Sequence, residues 1–199
     1  MVLRHGDAGS PARSLARWRA CARRALRAAP AITTVPRVPP PPAPQHHDAL
    51  PSPRIRRADA VDLDALVALE ERVFRHDRLS RAQFRRHLDS DSALVLIAKE
   101  DGRLLGVALV FFRRGAQVAR LYSLVTAPEA RGRGVGAALL EAAERAARAR
   151  RCRTLRLEVR TDNRAALRLY ETRGYRHLVH RPGYYEDGSD AHRYEKPLR

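Results

Sequence analysis

The segment that most constrains this chain is Arg131-Gly132-Arg133-Gly134-Val135-Gly136, set between two runs of opposite character. Gln117 to Thr126 is rich in β-formers and is stopped by Pro128, whereas Gly134 to Arg150 is built of strong helix formers. A strand must therefore enter a glycine-rich turn and leave it as a long helix. Glycines let backbone N–H groups approach an anion closely, and a helix start adds unpaired donors and the positive end of its dipole. Arg131 and Arg133 can add charge at the same place. The plainer alternative is a tight turn with solvated arginines; the strand and helix on either side favour the phosphate site. A doubly wound dinucleotide fold uses a similar turn with an acidic residue about 20 positions later, and Glu158 lies 22 residues after Gly136. That turn normally opens its domain, however, and here four strands precede it and only two helices are read from it onward. No Gly-x-x-x-x-Gly-Lys-Ser/Thr phosphate loop occurs.

The composition breaks near residue 53. Ten of the 13 prolines lie in residues 1–53, including Pro39 to Pro42, and the remaining 146 residues hold three. Pro36 to Pro53 has too little apolar surface to offset its ordering entropy and is expected to be extended or disordered. Ahead of it, Arg13 to Ala29 has a weak helical pattern, with Leu15, Trp18, Ala22, Leu26 and Ala29 on one side. This basic segment could bind nucleic acid or an anionic membrane surface, or act as a targeting peptide. Because Ala, Arg, Pro and Gly make up 31 of the first 53 residues, a disordered extension is the favoured reading. The domain organisation expected is an extension over 1–53 and one globular domain over 54–199.

The domain reads as mixed α/β. Arg54 to Ala58 is a short strand, and Asp59 caps a helix carrying Leu63, Leu66, Val67, Val73 and Phe74 at a 3.6-residue period. Ser80 caps a second helix through His87. Ala93 to Ala98 and Leu104 to Phe112 are strands joined by Asp101-Gly102, a strong hairpin signal. After the glycine turn and its helix come a strand at Thr154 to Val159, a helix at Asn163 to Thr172 closed by Gly174, and two strands flanking Pro182 to Asp190. The order β-α-α-β-β-β-α-β-α-β-β alternates too little for a doubly wound sheet. It predicts a single mixed, mostly antiparallel sheet flanked by about four helices.

Charge and cysteine content narrow the classes further. Lys and Arg number 39 against 22 Asp and Glu, a net charge of +17 that first suggests an anionic partner. Only Lys99 and Lys196 are lysines, and the arginine bias fits codon usage. Two cysteines, Cys21 and Cys152, exclude a disulfide framework and a four-cysteine zinc site. The longest apolar run, Leu104 to Phe112, is about half a membrane span. No apolar h-region marks a secretory signal, so a cytoplasmic location is expected. His177 and His180, three apart in a predicted strand, are expected on opposite sides, unable to share a metal; no metal site is expected. Cys152 borders a strand without an evident His or Asp partner and is expected to be a packing residue.

With these residues on the page, Arg131 to Gly136 resembles the acetyl-CoA pyrophosphate loop of the GCN5-related N-acetyltransferases. It is joined by Leu155-Arg-Leu-Glu-Val-Arg160, Asp162-Asn163, Ala166-Leu-Arg-Leu-Tyr-Glu171 and Arg173-Gly174-Tyr175. Tyr184-Tyr185-Glu186-Asp187-Gly188-Ser189-Asp190-Ala191 is similar to the closing loop of the branch acting on protein N-termini, which includes the ribosomal-protein alanine N-acetyltransferases. The resemblance covers 54–199. It implies pyrophosphate on backbone N–H groups of Gly132, Arg133, Gly134, Val135, Gly136 and Ala137, with Arg131 beside them. It implies that the acetyl-pantetheine arm pairs with Leu124, Val125 and Thr126 like an added strand, with Asn163 touching it from the next helix. By the same resemblance Glu158 is the proton acceptor and Tyr170 the proton donor, and Phe74, Tyr184 and Tyr185 line the acceptor side.

The chemistry suits those residue types. Acetyl transfer from a thioester to an amine needs a held co-substrate, a neutral amine, a stabilised oxyanion and a protonated leaving thiolate. An α-amine with a pKa of about 8 needs only mild help from a carboxylate acting through water, and a phenol can protonate a departing thiolate. For Glu158 the competing reading is a structural carboxylate paired with Arg156 or Arg160; for Tyr170 it is an amphipathic core aromatic. The ribosomal-protein enzymes commonly carry Pro-Trp-Ser where this chain has Arg78-Leu79-Ser80, and Val-Asp where it has Thr126-Ala127. The reading is an acetyl-CoA-dependent N-acetyltransferase working in a ternary complex on a protein or peptide N-terminal amine. Rival acceptors are a small-molecule amine or a lysine side chain. A rival of another class is a basic nucleic-acid- or ribosome-associated protein, with nucleic acid binding through the N-terminal extension alone.

Overall fold

The computed structural model describes residues 2–3, 53–74 and 78–199. Expectations for the extension therefore lie outside the described residues, apart from Val2, Leu3 and Pro53. Eight strands form one sheet: β1 (Val2–Leu3), β2 (Arg54–Arg57), β3 (Ala93–Glu100), β4 (Arg103–Phe111), β5 (Val118–Thr126), β6 (Thr154–Arg160), β7 (Arg176–Arg181) and β8 (Ala191–Pro197). Seven run in the order β2-β3-β4-β5-β6-β8-β7, and β1 pairs with β5 off that path. All pairs are antiparallel except β5–β6, which run parallel. The helices are α1 (Leu63–Val73), α2 (Arg81–Leu88), α3 (Val135–Ala149) and α4 (Arg164–Thr172). This is the mixed sheet with four helices that the element order predicts.

Local chemistry sets the boundaries. Asp59 caps a short 3-10 turn, Ala60–Asp62, that feeds α1, and Asp62 returns the bond to complete a capping box. Ser80 and Gln83 make a second capping box at α2. Asp101 and Gly102 both adopt positive φ, 48° and 76°, the backbone a two-residue hairpin demands. Buried Asp62 is held by Arg56 at 2.7 Å and Lys99 at 2.9 Å, which lowers its pKa and ties the first helix to β2 and β3.

The two faces of the sheet carry different helices. Val107 and Leu109 of β4 pack with Leu66 and Leu69 of α1 and Phe84 of α2. Gly106, on the opposite face, lies under α3: a Cβ there would come within 2.7 Å of the Val125 carbonyl and 2.9 Å of Leu139. The missing side chain lets the start of α3 sit directly on the sheet. Val135, Leu139, Leu140, Ala143 and Ala147 bury the inner stripe of α3. Each fully buried leucine contributes about 2 kcal/mol to the fold.

Candidate functional site

The site begins where two parallel strands part. β5 and β6 pair only through Val118–Leu121 and Thr154–Leu157, while β4 holds the far edge of β5 as far as Thr126. The edge of β5 from Tyr122 to Thr126 that faces β6 is therefore left by β6. Val2 and Leu3 pair antiparallel with Val125 and Leu124 on that edge, so its backbone groups take an added strand here. These are the positions, Leu124, Val125 and Thr126, expected to receive the pantetheine arm.

Beyond Thr126, Pro128 starts a 3-10 turn, Pro128–Ala130, and the chain passes through Gly132 and Gly134 at φ 77° and 76°. No atom lies within 4 Å of a Cβ at either glycine, so left-handed backbone rather than crowding requires them. Gly134 is the N-cap of α3 and offers no side chain to cap it. The first-turn N–H groups of Val135, Gly136 and Ala137 thus meet no capping side chain. Arg133 donates two 2.7 Å bonds to Glu100 of β3, which tethers the turn to the sheet; Arg131 is exposed.

Below the parting strands lies a polar cluster. Glu158 of β6 is 1% exposed and faces Arg193 across the β6–β8 ladder. Arg193 holds Glu158 Oε1 at 2.7 Å from both Nε and Nη2, and Arg120 of β5 approaches Oε2 at 3.3 Å. Arg120 also donates to Tyr184 Oη at 2.7 Å. The expected structural partners of Glu158, Arg156 and Arg160, are engaged elsewhere: Arg156 with Glu195, and Arg160 with Asp162 and Asp187. Residues directly opposite on a neighbouring strand lie closer than residues two apart along one strand. Arg120 and Arg193 are the site residues the sequence does not reveal, because finding them requires the strand register.

Tyr170 of α4 is fully buried, and its hydroxyl and that of Tyr185 have no hydrogen-bond partner among the described residues. Burial, then the proximity of Tyr185, raises the Tyr170 pKa well above the ordinary value. Burial and then Glu158 raise that of Tyr185, so Tyr185 feels Glu158 and is felt by Tyr170. Tyr184 is raised by burial and by Glu158. The loop bearing both tyrosines is fixed at its neck by Asp190, which accepts from Gly183 N at 2.8 Å and pairs with His180 at 2.9 Å, and at its tip by Arg160 on Asp187. Asn163 caps α4 by accepting from Ala166 N at 3.2 Å. Phe74 ends α1 half-buried; residues 75–77, between it and Arg78, lie outside the described residues.

One expectation for another group is overturned. His177 and His180 share a face: a bulge between His177 and Val179 inserts Leu178, shifting the strand's two-residue alternation. His177 Nε2 lies 3.1 Å from His192 Nδ1, and the His180 and His192 rings are 5.4 Å apart. No group of three metal-ligating side chains is poised around one ion among the described residues. Cys152 is buried and its thiol pKa is raised by that burial, which suits packing.

The profile of the Acetyltransferase (GNAT) family matches residues 61–175. The chain belongs to this family. An uncharacterised N-acetyltransferase of Methanocaldococcus jannaschii is 33% identical over 149 residues, covering 69% of this chain and 86% of that one. The ribosomal-protein-S18-alanine N-acetyltransferase of Escherichia coli superposes with a TM-score of 0.65 at 28% identity, covering 73% of this chain and 93% of that one. A ribosomal-protein-alanine N-acetyltransferase from Brucella melitensis gives 0.64 at 25% identity, covering 73% and 99%. This GNAT protein is an acyltransferase that moves acetyl to an amine, and the family uses acetyl-CoA as co-substrate. One feature of the chain fits that co-substrate: the uncapped first turn of α3 behind glycines in left-handed backbone.

Proposed function

We propose that this GNAT enzyme acetylates the α-amine of a protein or peptide N-terminus by direct transfer in a ternary complex, through the domain spanning 54–199. The observation that carries the reading is the buried Tyr170 hydroxyl, without a hydrogen-bond partner among the described residues, near enough to Tyr185 for that phenol to raise its pKa. The kinship with enzymes named for ribosomal-protein alanine acceptors points to the same acceptor class.

The residues divide the work. The N–H groups from Gly132 to Ala137, with Arg131 and Arg133 around them, receive the pyrophosphate of acetyl-CoA. Leu124, Val125 and Thr126 offer a strand edge to the pantetheine arm and a backbone donor to the developing oxyanion, and Asn163 contacts the arm from α4. Phe74, Tyr184 and Tyr185 border the incoming peptide. Two guanidiniums on one carboxylate leave the cluster with a positive surplus, which disfavours the ammonium form of a nearby amine. Glu158, acting through water, then has one easily lost proton to accept. Tyr170 enters the reaction protonated, because burial raises its pKa, and donates as the thiolate leaves.

Acetyl transfer from acetyl-CoA to a library of N-terminal peptides, mapped by mass, tests the acceptor. Tyr170→Phe is expected to lower kcat by about 10²-fold with acetyl-CoA binding nearly unchanged. Equal losses in both would remove Tyr170 as the acid.

A further inference from the structure

Codon bias explains how many arginines a chain has, and gives no reason for where their counter-charges are missing. At the end of the sheet opposite the glycine turn, three turns meet: the β4–β5 turn with Arg113 and Arg114, the turn after α3 with Arg150, Arg151 and Arg153, and residues 89–92 before β3. They are stitched together by Arg153 N to Gln117 O at 2.7 Å, Phe112 N to Ser92 O at 2.8 Å and Arg150 Nη1 to Asp91 O at 2.7 Å. All five arginines are exposed, and the only acids on these turns are Asp89 and Asp91. Arg56, Arg72, Arg81, Arg133, Arg156 and Arg160 each meet a carboxylate. No ion pair holds Arg113, Arg114, Arg151 or Arg153 among the described residues.

A second observation falls on the same patch. Arg151 N donates to Arg148 O at 2.8 Å and Cys152 N to Ala147 O at 2.9 Å, which closes α3 with a Schellman motif. Arg151 takes its left-handed position at φ 59°, where glycine is the unstrained residue. A guanidinium is kept there at a conformational cost.

We propose that this end of the domain docks on the phosphate backbone of nucleic acid without reading sequence. Five guanidiniums spread over convex turns match a run of phosphates better than one small anion. Phe112, an aromatic at this end, has the Arg150 guanidinium over its ring at 4.2 Å. The large exposed apolar residues of the described chain are Val61 and Leu178, neither on these turns, so a membrane surface finds nothing here to insert. β5 runs from this end to the glycine turn, about 27 Å away, so docking leaves the transfer site open. The inference stands apart from the choice of acceptor.

Fluorescence anisotropy of the full chain with a labelled RNA single strand and a DNA duplex tests it. Combining Arg113→Ala, Arg114→Ala and Arg153→Ala is expected to weaken both by at least about 10-fold. The slope of log K against log salt on duplex should fall by about 0.9 per arginine removed. Arg151→Gly is expected to raise the melting temperature, by relieving strain, and yet to bind more weakly with a shallower salt slope. Acetyl transfer to a free peptide should be unchanged in all of these. Unchanged affinity in both variants overturns the proposal. So does loss confined to Arg19→Ala, Arg23→Ala, Arg24→Ala and Arg27→Ala in the extension, or binding to phosphatidylserine vesicles in place of nucleic acid.

Discussion

Glu158 shows what one buried charge asks of its neighbours. Its carboxylate is out of water and is met by Arg193, itself 6% exposed, and by Arg120. Removing one partner of such a pair leaves an uncompensated buried charge, so Arg193→Met is expected to destabilise the domain by about 3 kcal/mol, read by chemical denaturation. Arg120→Met should cost less stability, since its contact is longer and Arg193 remains. Arg120→Met also removes the bond to the Tyr184 hydroxyl, so its larger effect belongs to the acceptor KM. Glu158 and Tyr170 are singled out in the sequence by the resemblance of the local patterns that carry them, one on β6 and one on α4. Arg120 and Arg193 are 38 and 35 residues from Glu158. Nothing local links them to it, and only the pairing of β5, β6 and β8 does.

At the scale of elements, the glycine turn depends on a residue outside it. Gly106 of β4 leaves room for the first turn of α3 against the Val125 carbonyl. Gly106→Ala is expected to push that turn off the sheet, weakening acetyl-CoA binding by about 10-fold or more, the affinity equivalent of about 1.4 kcal/mol. Isothermal titration reads it. The position looks like any apolar strand residue in the sequence, because close approach between layers is a tertiary property. The β7–β8 hairpin makes the same point: a two-residue alternation predicts His177 and His180 apart, and one bulged residue brings both to His192. Burial, then the charges of His177 and His180, lowers the His192 pKa, against the opposing pull of Asp190 and Glu171; the Tyr194 ring completes its surroundings. The native hairpin therefore prefers His192 neutral. That contribution is present above the ordinary imidazole pKa of about 6.5 and is lost as pH falls below it. Asp190, lowered chiefly by the Gly183 N–H, loses its contribution in the same direction at lower pH still. The protection factors of the Gly183 and Tyr184 amides, taken relative to intrinsic exchange, should fall from pH 7 to pH 5, and His192→Gln should flatten that dependence.

From Arg54 onward, the sequence periods were enough for the element order, since each strand and helix carries its own pattern and its own cap or turn; the strand at Val2–Leu3 was not read from the sequence. The sheet order was not, because β8 inserts between β6 and β7 and no local signal states that. The charge of +17 divides into parts with different meanings. Some arginines hold carboxylates that build the site, Arg131 and Arg133 lie in the glycine turn, others are scattered over the surface, and Arg113, Arg114, Arg151 and Arg153 gather at the far end with no ion pair among the described residues. No helix among the described residues is long and apolar enough to cross a membrane. Under the proposed function, the parted strands, the glycine turn and the tyrosine-roofed cluster make an N-terminal acetyltransferase. Mass-mapped acetyl transfer to peptides bearing both a free α-amine and an internal lysine tests it most directly. Acetyl on the α-amine, with kcat lowered about 10²-fold and acetyl-CoA binding nearly unchanged in Tyr170→Phe, is the predicted result. Acetyl on the lysine alone, or no transfer to any peptide, would contradict it.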